Sequence, residues 1–157
     1  MSGITEEIDS NVGTGGDADL GQGAKAAPVR LPRVVIVDVR DERLRVTRSL
    51  LERSGLVEVV GETDSQQGAL DLVTRSVPDL VLLEIQMPID EGIATVGALR
   101  ASFPQLLVVV CSFHQEADAR QRALAGGANA YVTKPIHLAG LRNLLRELLP
   151  GTDMPGD

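Results

Sequence analysis

Aromatic residues are almost missing from this chain. Phe103, Phe113 and Tyr131 are the only three among 157 residues, and there is no tryptophan. A core must therefore be assembled from Leu, Val, Ile and Ala. Cysteine is nearly absent as well: Cys111 stands alone, which excludes an internal disulfide and any multi-cysteine metal site. Its place within an apolar run marks it as an inert buried thiol. No apolar run reaches membrane-spanning length. The first ten residues are acidic and lack a hydrophobic signal core. The expectation is a cytoplasmic protein with no membrane partner.

Positive charge is also scarce, with a formal net charge of −7. Residues 1–32 hold five acids and two bases, and 150–157 hold two acids. The body, 33–149, holds fifteen acids and thirteen bases. It offers no basic patch, which argues against a nucleic-acid partner. The chain is long enough for one domain with a real core. Residues 1–32, rich in Gly and Asp and without periodicity, are expected to be a disordered acidic tail, and 150–157 a flexible C-terminal one.

What is present is a regular alternation. Aliphatic strands are predicted at Arg33–Val37, Val57–Gly61, Leu80–Glu84, Leu106–Cys111 and Ala130–Thr133. Helical spacing is predicted over Asp41–Ser54, from an N-cap at Asp64 to Pro78, over Gly92–Ser102, Gln115–Ala125 and His137–Leu149. Leu44, Thr47, Leu50 and Leu51 share one face of the first helix; Ala69, Leu70, Val73 and Val77 share one of the second. Gly55, Pro78, Gly126-Gly127 and Pro150 close helices. Five such units with short connections predict an α/β fold of three layers, with a parallel sheet covered on both faces.

In open α/β sheets, ligands bind at the carboxyl ends of the strands. The residues predicted there are Asp38, Glu84, Ser112 and Lys134. Two carboxylates, a hydroxyl and an ammonium suit a divalent cation and a phosphoryl-like anion. Lys134 is the only lysine in the body; the other twelve bases are arginine. A compact ammonium in place of a planar guanidinium gives that exception a reason.

With these residues in place, the body resembles a response-regulator receiver domain, the phosphoacceptor module of bacterial two-component signalling. The matching pieces are Ile36-Val37-Asp38, Val60-Gly61-Glu62, Pro78-Asp79, Met87-Pro88, Gly126-Gly127-Ala128 with Tyr131, and Lys134-Pro135. The resemblance implies a flavodoxin-like five-stranded sheet in the order 2-1-3-4-5 and a cis peptide between Lys134 and Pro135. It implies that Glu84 stands at the phosphoacceptor position and Asp38 in the acidic pocket. Ser112 and Tyr131 then take the switch positions, and Lys134 is the phosphate-site lysine. A metal would be held by Asp38, Glu84 and the main-chain carbonyl of Gln86.

Three departures bear on that implication. The family carries two adjacent acids after the first strand, where this chain has Asp38-Val39, so magnesium binding is expected to be weak and no other cofactor is implied. The phosphoacceptor aspartate is replaced by Glu84, one methylene longer. A shift of about 1 Å can cost on the order of 100-fold in a positioned reaction, and phosphoryl transfer depends on positioning and metal. Phe113 follows the switch hydroxyl where a small residue is usual, and is expected to occlude the pocket.

Two functions follow. The first is an atypical, stand-alone receiver, with no output domain after it. It acts as a protein-interaction module independent of phosphorylation and is not an enzyme. The second is a conventional receiver accepting a phosphoryl group from a histidine kinase. In the first, Glu84 either holds Ser112 and Tyr131 in an active-like state or merely pairs with Lys134. The implied partner is a signalling protein, a histidine kinase or a regulator, with a homodimer also compatible. A flavodoxin-like cofactor binder ranks below both, because Asp38-Val39-Arg40-Asp41 would repel phosphate. His114 and His137 lie in different units with no cysteine beside them, against a metal site. Arg120 and Arg122 read as a solvated face, or as part of the family's partner surface.

Overall fold

Strand β1 (Arg33–Val37) is buried along most of its length, as an aliphatic run between two helical layers must be. It is followed by α1 (Asp41–Ser54), β2 (Glu58–Thr63), α2 (Gln66–Ser76), β3 (Leu80–Glu84), α3 (Ile89–Ser102), β4 (Leu107–Ser112), α4 (Ala117–Ala125), β5 (Ala130–Thr133) and α5 (Leu138–Leu148). This computed structural model describes residues 30–38, 41–85, 89–113 and 116–151, with side chains omitted over 41–45. The expected N-terminal tail through residue 29, Val39, Gln86, His114 and residues 152–157 lie outside the described residues.

The strands form one parallel sheet in the order β2-β1-β3-β4-β5, the flavodoxin-like arrangement expected. Alternation of side chains divides the core into two layers. Val35, Val37, Val81, Leu83, Val108 and Val110 face α2, α3 and α4. Val34, Ile36, Leu80, Leu82, Val109 and Cys111 face α1 and α5. Tyr131 is the only aromatic buried among the described residues.

Several boundaries differ from the sequence expectation. Ser65, not Asp64, caps α2: its backbone is extended and its side-chain oxygen accepts from the Gly68 amide at 3.0 Å. Val77 is not on the inner face. It is the αL C-cap of α2, with φ 47°, and is 73 % exposed. Helix α3 starts at Ile89, three residues early, with Asp90 and Glu91 in its first turn, where acids favour the helix dipole. Helix α4 starts later than expected, at Ala117. Strand β2 runs on to Thr63, because Ile36 and Val37 pair with Glu62 and Thr63 after a register shift.

Arginines fasten the amino edge of the sheet. Arg33 donates from its guanidinium to the carbonyls of Ser76 and, at 3.1 Å, Val77; its amide meets Asp79 Oδ2 at 2.7 Å. Arg100 at the end of α3 reaches the carbonyls of Pro104 (2.9 Å), Leu106 (2.7 Å) and Gly127 (3.0 Å) and Asn129 Oδ1 (2.6 Å). Gly127 permits this approach: its φ is +117°, and a Cβ there would sit 3.1 Å from Arg100 Cγ.

Candidate functional site at the carboxyl edge

A parallel sheet presents every strand's carboxyl end on one edge, and main-chain bonds fix what stands there. The Asp38 amide donates to the Thr63 carbonyl at 3.0 Å, and the Lys134 amide to the Ser112 carbonyl at 2.7 Å. Glu84 lies in register with Cys111, and Ser112 with Thr133. The ladder thus extends just past the strands, and the side chains it holds are brought together by backbone geometry. Lys134-Pro135 is a cis peptide, as the resemblance implied.

Lys134 Nζ contacts Glu84 Oε1 and lies 4.0 Å from Asp38 Oδ2. Both carboxylates are buried, with Glu84 7 % exposed. These groups line a cavity of about 10 Å³, together with Ile36, Val37, Thr47, Leu82 and Cys111. That is about the room one water needs. On the outer side the Phe113 ring, 54 % exposed, lies with its centroid 5.6 Å from Lys134 Nζ, within cation–π range. The ammonium is therefore held between a buried carboxylate and an aromatic face.

The remaining expected residues take separate places. Ser112 is fully buried, and its hydroxyl donates to the Ile85 carbonyl at 3.0 Å. Tyr131 is buried in the other layer, against α4. Cys111 is a buried free thiol; burial pushes its pKa up to about 12, Lys134 opposes the shift, and Glu84 and Asp38 add to it. It stays protonated at neutral pH. Among the described residues, no group of three or more His, Cys, Asp or Glu could hold a metal ion. His137 is exposed at the N-cap of α5.

Two residues carry more than their sequence context indicated. Thr47 was expected only to face the core; it is buried and lines the charged cavity from α1. Arg120, read as a solvated or partner-facing residue, donates to the Tyr131 carbonyl at 3.2 Å. Arg122 pairs with Asp90 of α3. Spacing on a helix shows which side a residue occupies, not which carbonyl a long side chain will find.

Known proteins with similar chains agree with this architecture. Residues 34–146 match the response regulator receiver domain family. The transcriptional regulatory protein PrrA of Mycobacterium bovis is 36 % identical over 121 residues, covering 77 % of this chain and 51 % of that protein. A protein-glutamate methylesterase/protein-glutamine glutaminase of Trichodesmium erythraeum is 33 % identical over 124 residues, 75 % of this chain and 35 % of the relative. The signal receiver domain of the response regulator NarL from Mycobacterium tuberculosis superposes with a TM-score of 0.68 at 29 % identity, covering 78 % of this chain and 98 % of that domain. This chain thus spans about half or less of the length of these two curated relatives but nearly all of the solved receiver domain. Among the described residues no helix is long and apolar enough to cross a membrane. The match over 34–146, the sheet order and the residues gathered at its carboxyl edge place this chain in the response-regulator receiver domain family.

Proposed function

We propose that this chain is an atypical receiver that signals by protein contact, with Glu84 acting as a fixed charge in place of a phosphorylated residue. The observation that carries this reading is the state of Glu84. It is buried, paired with Lys134, and lines a cavity of about 10 Å³. A phosphoryl group brings three oxygens of its own and needs far more room than one water. Its entry would also require Lys134 to leave Glu84. The donor set fits a divalent cation poorly. The described residues supply two carboxylates, Asp38 and Glu84, and the Lys134 ammonium already neutralises one of them. A small cation with near-octahedral oxygen demand gains little there.

The buried position of Tyr131 supports a switch held in an active-like state over a site that has merely lost its chemistry. As the only tyrosine in a chain without tryptophan, Tyr131 reports on this directly through its fluorescence. Acrylamide quenching is expected to rise in Glu84→Ala if the charge holds the ring inward; unchanged quenching would leave Glu84 as a plain ion-pair partner. Incubation with acetyl phosphate and Mg²⁺ should leave the intact mass unchanged. A phosphate-sized gain that disappears in Glu84→Ala would establish the conventional phosphoacceptor reading instead.

A further inference from the structure

Four polar side chains, Asp38, Glu84, Lys134 and Thr47, line the cavity of about 10 Å³ at the carboxyl edge. Its other walls are aliphatic, apart from the Cys111 thiol, which stays protonated. Glu84 meets the ammonium directly, but Asp38 Oδ2 stops 4.0 Å from it, beyond direct hydrogen-bond reach. Asp38 is 1 % exposed, so bulk solvent does not fill that gap. A carboxylate and an ammonium at this separation are a pair that one shared water can join. Thr47 reaches the same cavity from α1, where it is buried one turn before Leu51. A buried hydroxyl is costly without a hydrogen-bond partner, and an aliphatic side chain would pack this helix face without that demand.

We propose that this cavity is a binding site for a single ordered water, held by the Thr47 hydroxyl and bridging Asp38 to the Lys134 ammonium. The volume is that of one water, and an internal water needs about two to four polar partners, which these side chains supply. One donor of Lys134 is directed at Glu84, which leaves others for the water. The water accepts from the ammonium and donates one proton to Asp38. Its second proton goes to the Thr47 oxygen, whose own proton can go to the carbonyl one turn back on α1. The bridge lets one ammonium serve two acids while touching only Glu84. Thr47 acts through the water and is a positioning residue. The site belongs to the resting cluster whether or not Glu84 accepts a phosphoryl group, so it does not rest on the function proposed above.

Magnetic relaxation dispersion of the water oxygen, on the full chain, counts waters that stay in the protein longer than it tumbles. About one buried water per 27 residues gives roughly four for a body of this size, so one site is about a quarter of the signal. Thr47→Val keeps the shape of the side chain, removes its hydroxyl and should lose that quarter. Thr47→Ser keeps the hydroxyl and should lose none. The chain has two lysines, Lys25 and Lys134, so nitrogen-labelled lysine gives two ammonium signals. The Lys134 signal should shift in Thr47→Val while that of Lys25 stays. The site is overturned if Thr47→Val keeps the full dispersion, which would mean that the hydroxyl bonds only within its own helix. A lost water with an unmoved Lys134 signal overturns the bridge. If Thr47→Val does not fold, Thr47→Ser decides alone: full dispersion supports the site, and a lost water overturns it.

Discussion

The two edges of the sheet use charge in opposite ways. At the amino edge, Arg33 and Arg100 direct their guanidiniums at main-chain carbonyls and at Asn129, and each of them joins separate segments of chain. At the carboxyl edge, two buried carboxylates share one ammonium, and that ammonium lies under an aromatic ring. The first arrangement distributes planar donors over fixed acceptors and makes a clamp. The second gathers two acids at a tight cavity, against the Lys134 ammonium. One edge joins segments of chain through arginines, and the other sets buried acid charge against a lysine.

The largest expected effect comes from disturbing that balance. Lys134→Met should destabilise the chain by about 3–5 kcal/mol, because it leaves both Asp38 and Glu84 buried without the ammonium. Adding Glu84→Gln should recover much of the loss by removing one of the two charges. Urea unfolding of the three proteins decides it. A loss below about 1 kcal/mol in Lys134→Met would mean that the carboxyl edge is not a buried charge cluster, and the contrast between the edges would dissolve.

Next in size is the clamp. Arg100→Ala should cost about 3 kcal/mol, since three carbonyls from two loops and Asn129 lose a common donor. Its distance from Glu84 makes a further demand: Tyr131 quenching should not change at temperatures where the variant is folded. If Arg100→Ala altered Tyr131 exposure in the native state, the two edges would be coupled rather than separate in role.

The two edges also differed in how far the sequence revealed them. Strands buried on both faces are written as aliphatic runs, so 33–37 and 80–84 were legible residue for residue. The edge strand 130–133 was delimited by Gly126-Gly127 before it and Lys134-Pro135 after it. The site residues followed because parallel strands all end on one edge. Asp38, Glu84, Ser112 and Lys134 were therefore found together before any distance was known. What the sequence withheld were facts of tertiary reach. Nothing local distinguishes Arg100 from the other arginines, because its acceptors come from loops that meet only in the fold. Asp64 and Ser65 are neighbours equally able to cap a helix, and only the Gly68 amide chooses between them. Thr47 lies on the predicted inner face, but periodicity cannot say that this face ends against a charged cavity.

Val77 gives the smallest effect, and it runs in the stabilising direction. It was misread for a related reason: its spacing suits the inner face, yet Pro78 follows it and the chain must turn. The turn places a β-branched residue at φ 47°, ψ 63°, where its side chain crowds its own backbone. At 73 % exposure the side chain buries little that offsets this strain. What the position contributes is main chain: its amide donates to Val73, and its carbonyl accepts from Arg33. Val77→Asn keeps both groups and suits the αL region, so it should add about 1 kcal/mol and raise the melting midpoint by roughly 3 °C. No change in Tyr131 quenching should accompany it. A loss of stability instead would show that the valine side chain is itself held by a contact at the amino edge. That edge would then depend on side-chain packing at this turn as well as on arginines and main chain.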